Sequence, residues 1–308
     1  MSMVDLNDIR TTEFGVCLDA AANDANVLVP VDAGVQEALR EMVIATAEKI
    51  GCFGRNAALP TYEPAEKYGA TEALKCPIDD DFEASAPVVL FRTTNLPTSQ
   101  TALDDPAAIE FYFARLRDRQ GRQLIAVKRA GQFKGMLKAK GRLIRWLDDT
   151  MQVVEDDVFK LDPDFDYLVT DDEMYILRPS AFEFTVDMDA TILAKAKENA
   201  EALHESVTFI DFAGIAEYVG GHKRAARLVA ALKKRTDLSD TDQRLLKKVC
   251  KDTGVTLERR NGRICPAAGH EYEFMMLLDR RRYALTLITD APETYEAASR
   301  RQVSGGTA

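Results

Sequence analysis

FDYLVTDDEMYILRP, residues 165–179, decides how the middle of this chain folds. Two apolar runs, FDYLVT and MYILRP, flank the turn-forming Asp171, Asp172 and Glu173. Tyr167 and Val169, then Met174 and Ile176, alternate along those runs with the period of two that a half-buried strand imposes. The pattern predicts a β-hairpin. Just upstream, Asp162-Pro163-Asp164 breaks the chain, and DDT (148–150) separates RLIRWL from MQVVED in the same way. With QLIAVKRA as a further strand, the region predicts an antiparallel meander.

Outward from that meander the signals change. On the N-terminal side, PAAIEFYFARLRD predicts a helix opening at Asp105-Pro106, which sets a boundary between residues 104 and 105. Residues 1–104 read as a mixed α/β region. FGVCLDA (14–20), NVLVPVD (26–32) and PVVLFRT (87–93) are strand-like, and VQEALREMVIATAEKIG is a helix stopped by Gly51. Residues 55–86, with Pro60, Pro64 and Pro77, predict a long loop. On the C-terminal side, ATILAKAKENAEALHES follows Asp189 as its N-cap, and IDFAGIAEYVGG is closed by two glycines. HKRAARLVAALKKR and DTDQRLLKKVCKDTG complete a helical section, the latter with a start like a capping box at Ser239 and Asp242. TLERRNGRICP turns on Asn261-Gly262, a type I′ signal, and FMMLLDRRRYALTLIT predicts a second hairpin around residues 279–281. The fold class is therefore α+β. Residues 1–104 form an N-terminal mixed α/β region, and residues 105–308 hold the meander sheet, a helical subdomain and C-terminal hairpins.

The charge is not evenly spread. The 308 residues carry 40 Lys and Arg against 50 Asp and Glu, a formal net charge of −10. Yet residues 119–147 hold 9 basic side chains and no acidic one, and residues 148–217 hold 4 basic and 19 acidic. Residues 218–308 turn basic again, with 18 against 11. A solvated surface ordinarily mixes the two signs, and crowded like charges repel one another, a cost that a polyanion relieves. On that ground Lys128, Arg129, Lys134, Lys138, Lys140, Arg142 and Arg145 are candidate phosphate contacts. If residues 132–140 are helical, Phe133, Met136 and Leu137 turn inward and Lys134 and Lys138 outward. In HKRAARLVAALKKR, Ala225, Leu228, Val229 and Leu232 gather on one side. Lys223, Arg227 and Lys234 take the other, with Arg224 beside them. Lys247 and Lys248, flanked by Arg244 and Lys251, extend the candidate surface onto the next helix.

Other chemistries are poorly signalled. No apolar run approaches the length of a membrane span, and MSMVDLNDIRTTEFG lacks a basic segment followed by an apolar core, so no secretory signal is expected. The five cysteines show no C-x-x-C spacing and predict idle thiols in a reducing cytoplasm. His204, His222 and His270 are too scattered for a triad or a metal cage. No phosphate-binding glycine loop and no G-x-S-x-G or H-E-x-x-H sequence occurs, so no cofactor is expected. The acidic block is the best enzymatic lead. Asp148, Asp149, Asp156, Asp157, Asp166, Asp171, Asp172 and Glu183 could include a Mg²⁺ pair for phosphodiester hydrolysis. Asp148-Asp149 and Asp171-Asp172, however, sit at expected turns, where Asp is favoured for backbone reasons. A binder rather than an enzyme is expected.

The run AVKRAGQFKGMLKAKGRLIRWLDDTMQVVEDDVFKLDPDFDYLVTDDEMYILRPSAFE (126–183) resembles the domain carried by KwaB-like proteins of the Kiwa anti-phage defence system. The matching features are VKR after a strand, LKAKG, the acidic meander, D-x-L-V-x-x-D-x-x-Y-I-L and the FE that follows. The later KR…LKK helices, NGRI and LLDRRRYALTLIT are similar too, and residues 1–100 fall outside the resemblance. It implies a cytoplasmic defence effector that binds DNA. It also implies that the protein works with KwaA, a membrane protein that would bring it to the inner face of the membrane, and interferes with phage replication. Two other readings stand beside it. One is an assembly hub, a homo-oligomer or partner-bound complex in which basic and acidic blocks pair between subunits. The other is a metal-dependent nuclease.

Overall fold

The computed structural model describes residues 4–18, 26–52, 59–69, 72–79, 82–101, 108–130, 144–147, 150–153, 161–288 and 291–297. The chain divides into two compact units, Met1–Tyr62 with Tyr68–Asp187, and Glu63–Lys67 with Met188–Ala308. The break thus falls after Asp187 rather than at residue 104. The reason is a hydrogen-bonded ladder that ties the N-terminal segment into the meander.

That ladder is a seven-stranded antiparallel sheet. Its strands are β1 (Ile9–Cys17), β2 (Asn26–Val29), β3 (Leu74–Pro77), β4 (Phe111–Asp118), β5 (Gln123–Arg129), β8 (Tyr167–Val169) and β9 (Glu173–Ile176), in the order β2-β1-β4-β5-β8-β9-β3. β6 (Ile144–Leu147) and β7 (Thr150–Val153) pair as a separate hairpin. The β8–β9 hairpin forms as its sequence predicts, with Val169 opposite Met174 and Tyr167 opposite Ile176. Three other expectations fail. FYFARLRD is the interior strand β4 and not a helix, because all of it except Arg117 is buried. A strand covered on both faces loses the alternation that would mark it. Arg115 completes the disguise. It is 2 % exposed, and its guanidinium donates to Glu13 at 2.5 Å and to the Thr93 carbonyl at 3.0 Å.

PVVLFRT, in turn, is helical. α2 (Ala86–Arg92) has Pro87 in its first turn, where a missing N–H costs nothing. It buries Val88 and Leu90, which overrides the strand preference of adjacent valines. Within the expected loop 55–86, β3 closes the sheet edge against β9, with Leu74 opposite Ile176. Tyr112, Ala114 and Leu116 of β4 share a core with Leu39, Val43 and Ile50 of α1 (Ala33–Ile50) on one face of the sheet. On the other, Phe182 of α3 (Pro179–Thr185) meets Tyr167 and Tyr62 edge-on, with ring centroids 5.4 and 5.2 Å apart.

The second unit holds α4 (Asp189–Ser206), α5 (Phe212–Val219), α6 (Lys223–Lys233), α7 (Gln243–Asp252) and α8 (Glu271–Leu278). Its hairpins are β10 (Leu257–Arg260) with β11 (Arg263–Pro266), and β12 (Arg282–Ile288) with β13 (Ala291–Glu296). Asn261 (φ 52°) and Gly262 (φ 80°) both take the left-handed region that a type I′ turn needs. FMMLL, expected as a strand, is α8, and Phe274 to Leu278 are all buried. A fully buried apolar run carries no period to separate helix from strand. Met188 rather than Asp189 is the N-cap of α4.

Gly15, in β1 between β2 and β4, tests the sheet. A Cβ there would overlap the Phe113 ring and lie 2.6 Å from the Val27 carbonyl oxygen. Gly15→Ala is expected to destabilise the protein by roughly 1–3 kcal/mol in a urea titration. An unchanged midpoint would show that the strands can spread to admit a methyl group.

Candidate nucleic-acid interface

The predicted contacts have different fates. Lys134, Lys138, Lys140 and Arg142 lie outside the described residues, as does the side chain of Arg145, whose backbone is in β6. Lys128 does not face outward. It lies next to the end of β5 at 7 % exposure, with its Nζ 3.0 Å from Asp166, 3.6 Å from Asp162 and 3.7 Å from Asp164. Arg178 grips two of the same carboxylates, Asp164 at 2.5 Å and Asp166 at 3.0 Å, and Lys49 of α1 takes the other oxygen of Asp164 at 2.5 Å. α1 also holds the backbone of this loop, because the Thr46 hydroxyl accepts from the Phe165 N–H at 2.8 Å. Burial alone would raise the Asp164 carboxyl. Hydrogen bonds from Lys49 and Arg178, with the nearby positive charges, outweigh it and hold Asp164 below the ordinary carboxylate range. Arg129 stays at the surface of this cluster, its guanidinium over the Phe184 ring at 3.6 Å from the centroid. Its backbone N–H donates to Asp166 at 2.9 Å.

On α6 the apolar side forms as expected, with Ala225, Leu228, Val229 and Leu232 buried. Lys223 pairs with Asp189, and Lys234 with Glu66 at 2.5 Å. Arg224 is exposed and Arg227 half-buried. α7 differs. Asp242 caps it, accepting from the Arg244 N–H at 2.7 Å and the Leu245 N–H at 3.1 Å, so the helix starts on Asp242 and not on a box begun at Ser239. Leu246 and Cys250, one turn apart, face inward. Arg244, Lys247, Lys248 and Lys251 then fall within an arc of about 100° on the outside. All four are exposed, and none forms an ion pair with another described residue. Lys247 and Lys251 also line a cleft of about 480 Å³ together with Arg259 of β10. LERRNGR reads as a turn, and its three arginines in seven residues are the sequence signal that accompanies the place of Arg259.

The acidic leads come apart. Asp148, Asp149, Asp156 and Asp157 lie outside the described residues. Asp166 is held by Lys128 and Arg178, whereas Glu183 accepts from the Tyr62 hydroxyl at 3.3 Å, and Asp171 and Asp172 are exposed at the hairpin turn. Among the described residues, no group of three or more His, Cys, Asp or Glu could hold a metal ion, and no helix is long and apolar enough to cross a membrane.

An α+β chain with a seven-stranded antiparallel sheet and a separate helical unit bearing unpaired cations is the class of protein that these features define. The sequence model of one family, described as Kiwa protein KwaB-like, matches residues 108–287, and the chain belongs to that family. Its role is accordingly in Kiwa anti-phage defence. No curated protein and no solved structure gives a match.

The buried cluster makes two predictions. Lys128→Met leaves carboxylates uncompensated and is expected to cost about 3–5 kcal/mol in equilibrium unfolding. Because the Asp164 carboxyl lies lower in the folded chain than when unfolded, its contribution is complete above about pH 4. It is lost as pH falls through the folded-state value. Asp164→Asn should therefore flatten the acid limb of a plot of stability against pH, and an unaltered limb would assign that limb to other carboxylates.

Proposed function

We propose that this protein is a DNA-binding effector of anti-phage defence that contacts phosphates largely without sequence preference. One observation supports this above the others. In a chain of net charge −10, Lys247, Lys248 and Lys251 stand together on one outward helix face without a carboxylate partner among the described residues, and Arg244 lies beside them near the capping Asp242. Lys and Arg so placed neutralise phosphates and release counterions, a gain that depends on salt and not on base sequence. Arg259 beside the cleft joins this surface, and Arg224 and Arg227 of α6 extend it. Lys134, Lys138, Lys140, Arg142 and Arg145 remain part of the proposed contact. Lys128, closed in by carboxylates, supports the site without touching the strand. In this reading the protein needs no cofactor and is not an enzyme. It acts in the cytoplasm with a KwaA-like membrane protein, which brings it to the membrane, and it blocks phage replication by occupying DNA.

A protein-assembly role has one observation in its favour. Tyr283, Leu285 and Tyr295 of the β12–β13 hairpin are 46 %, 42 % and 38 % exposed, with the two tyrosine rings stacked at 5.8 Å. Such a face suits a homo-oligomer or a partner contact. The nuclease reading has weaker support, since Asp164 and Asp166 already hold cations from the chain itself.

Fluorescence anisotropy of a labelled duplex tests the proposal. Neutralising about four phosphates gives a log–log salt slope of about −3.6, or roughly a hundredfold loss of affinity between 50 and 200 mM salt. Lys247→Glu with Lys248→Glu should weaken binding equally for unrelated sequences and flatten the slope by about two. Undiminished binding by that variant would remove α7 from the interface. Plasmid incubated with the protein and Mg²⁺ should stay intact, and cutting abolished by Asp166→Asn would instead establish a nuclease.

A further inference from the structure

A second cleft, built only from residues of the sheet unit, lies beside the Lys128 cluster and encloses about 560 Å³. Arg129, Asp162, Arg178 and Ser180 line it around the buried carboxylates. Most of the charge there is mutually satisfied, but three groups are not. The Asp162 carboxylate is 3.6 Å from Lys128 Nζ, beyond hydrogen-bond distance, and accepts no hydrogen bond from another described residue. Arg129 Nε is buried without a partner among the described residues. The exposed Ser180 hydroxyl is also uncommitted among the described residues. A guanidinium N–H buried without an acceptor is rare in folded proteins and marks a place where a partner is missing.

The charges select the partner. An anion such as phosphate would face Asp162, Asp164 and Asp166, whereas a divalent cation would face Lys128, Lys49 and Arg178. A neutral group with donors on one edge and acceptors on the next meets neither penalty. The open carboxylate calls for paired N–H donors, and the open arginine calls for a carbonyl or ring nitrogen. Guanine carries both, N1–H with N2–H₂ on one edge and O6 with N7 beside them. The cleft has room for a base, and Arg129 lines it together with Asp162.

We infer that this cleft binds a guanine base, with Asp162 accepting from its N1–H and N2–H₂ and Arg129 donating to O6 or N7. The base is supplied either by a free guanine nucleotide or by an unpaired guanine in a nucleic-acid strand. The inference does not rest on the cations of α7, and uncharged guanosine separates the two, because it offers those cations no phosphate.

Calorimetric titration of the full chain with guanosine, with adenosine, and with a short single-stranded oligonucleotide carrying one guanine or an adenine in its place tests the site. A guanine ligand should bind saturably and at least tenfold more tightly than its adenine counterpart. Asp162→Asn should cost roughly tenfold to a hundredfold while leaving the thermal midpoint near that of the parent. Arg129→Lys, which keeps the charge and loses the fork, should reduce the preference independently. Binding of both guanosine and the oligonucleotide identifies a free-base site, and binding of the oligonucleotide alone identifies a strand as the source. No binding of either, equal binding of the adenine ligands, or a preference that survives Asp162→Asn would overturn the inference.

Discussion

An ammonium ion can stay charged away from water only where carboxylates enclose it, and that constraint organises the sheet unit. Lys128, 7 % exposed, lies near the end of β5 among Asp162, Asp164 and Asp166. Because Lys49 of α1 and Arg178 ahead of α3 share those carboxylates, one cluster ties a helix, a central strand, the approach to β8 and the start of another helix. Such a cluster adds little net energy compared with apolar packing, but removing Lys128 or Arg178 strands the charge of the buried Asp164 and Asp166 in a low dielectric. It therefore acts more as a fastening of geometry than as a source of stability. The cleft beside it is shaped by the same fastening.

The two units use their cations differently. In the sheet unit, Arg115 is held by Glu13, Arg122 by Asp118, and Lys128 and Arg178 by the aspartate cluster. Those charges are turned into the fold. In the helical unit Lys223 and Lys234 of the α6 segment are paired, but Lys247, Lys248 and Lys251 of α7 form no ion pair with another described residue. Net charge could not reveal this division, because it sums paired and unpaired groups alike. What a polyanion meets is the unpaired, exposed remainder. That remainder supports the proposed DNA contact more directly than the total in any block of sequence.

Legibility followed burial. Where one face of an element is wet, its sequence announced it. The 18-residue helix α1 ends on Gly51 at φ 74°, the Asn261-Gly262 turn adopts its positive φ pair, and α6 buries the four residues its periodicity selects. Where both faces are covered, the signal vanished. The sequence of β4 reads as a helix, those of α2 and α8 as strands, and that of the edge strand β3 as loop, because burial and sheet pairing override local preference and erase period. The candidate surface divides in the same way. Charge and helical spacing are enough to place Lys247 and Lys248 outward, whereas Lys128 turns inward and the place of Arg259 beside a cleft has no local signature.

By itself the sequence determined the α+β class, the solvent-facing helices and their cationic stripes, the meander turns and the resemblance that residues 108–287 bear out. These depend on neighbours along the chain, at spacings set by helix and strand geometry. Only the tertiary structure decided that residues before 104 belong to the same sheet and that Lys128 turns inward. It also decided which basic side chains remain without a carboxylate. Those outcomes hang on contacts such as Lys49 with Asp164, 115 residues apart. No local pattern encodes a pairing at that separation, since it is fixed only when the sheet brings the two segments together.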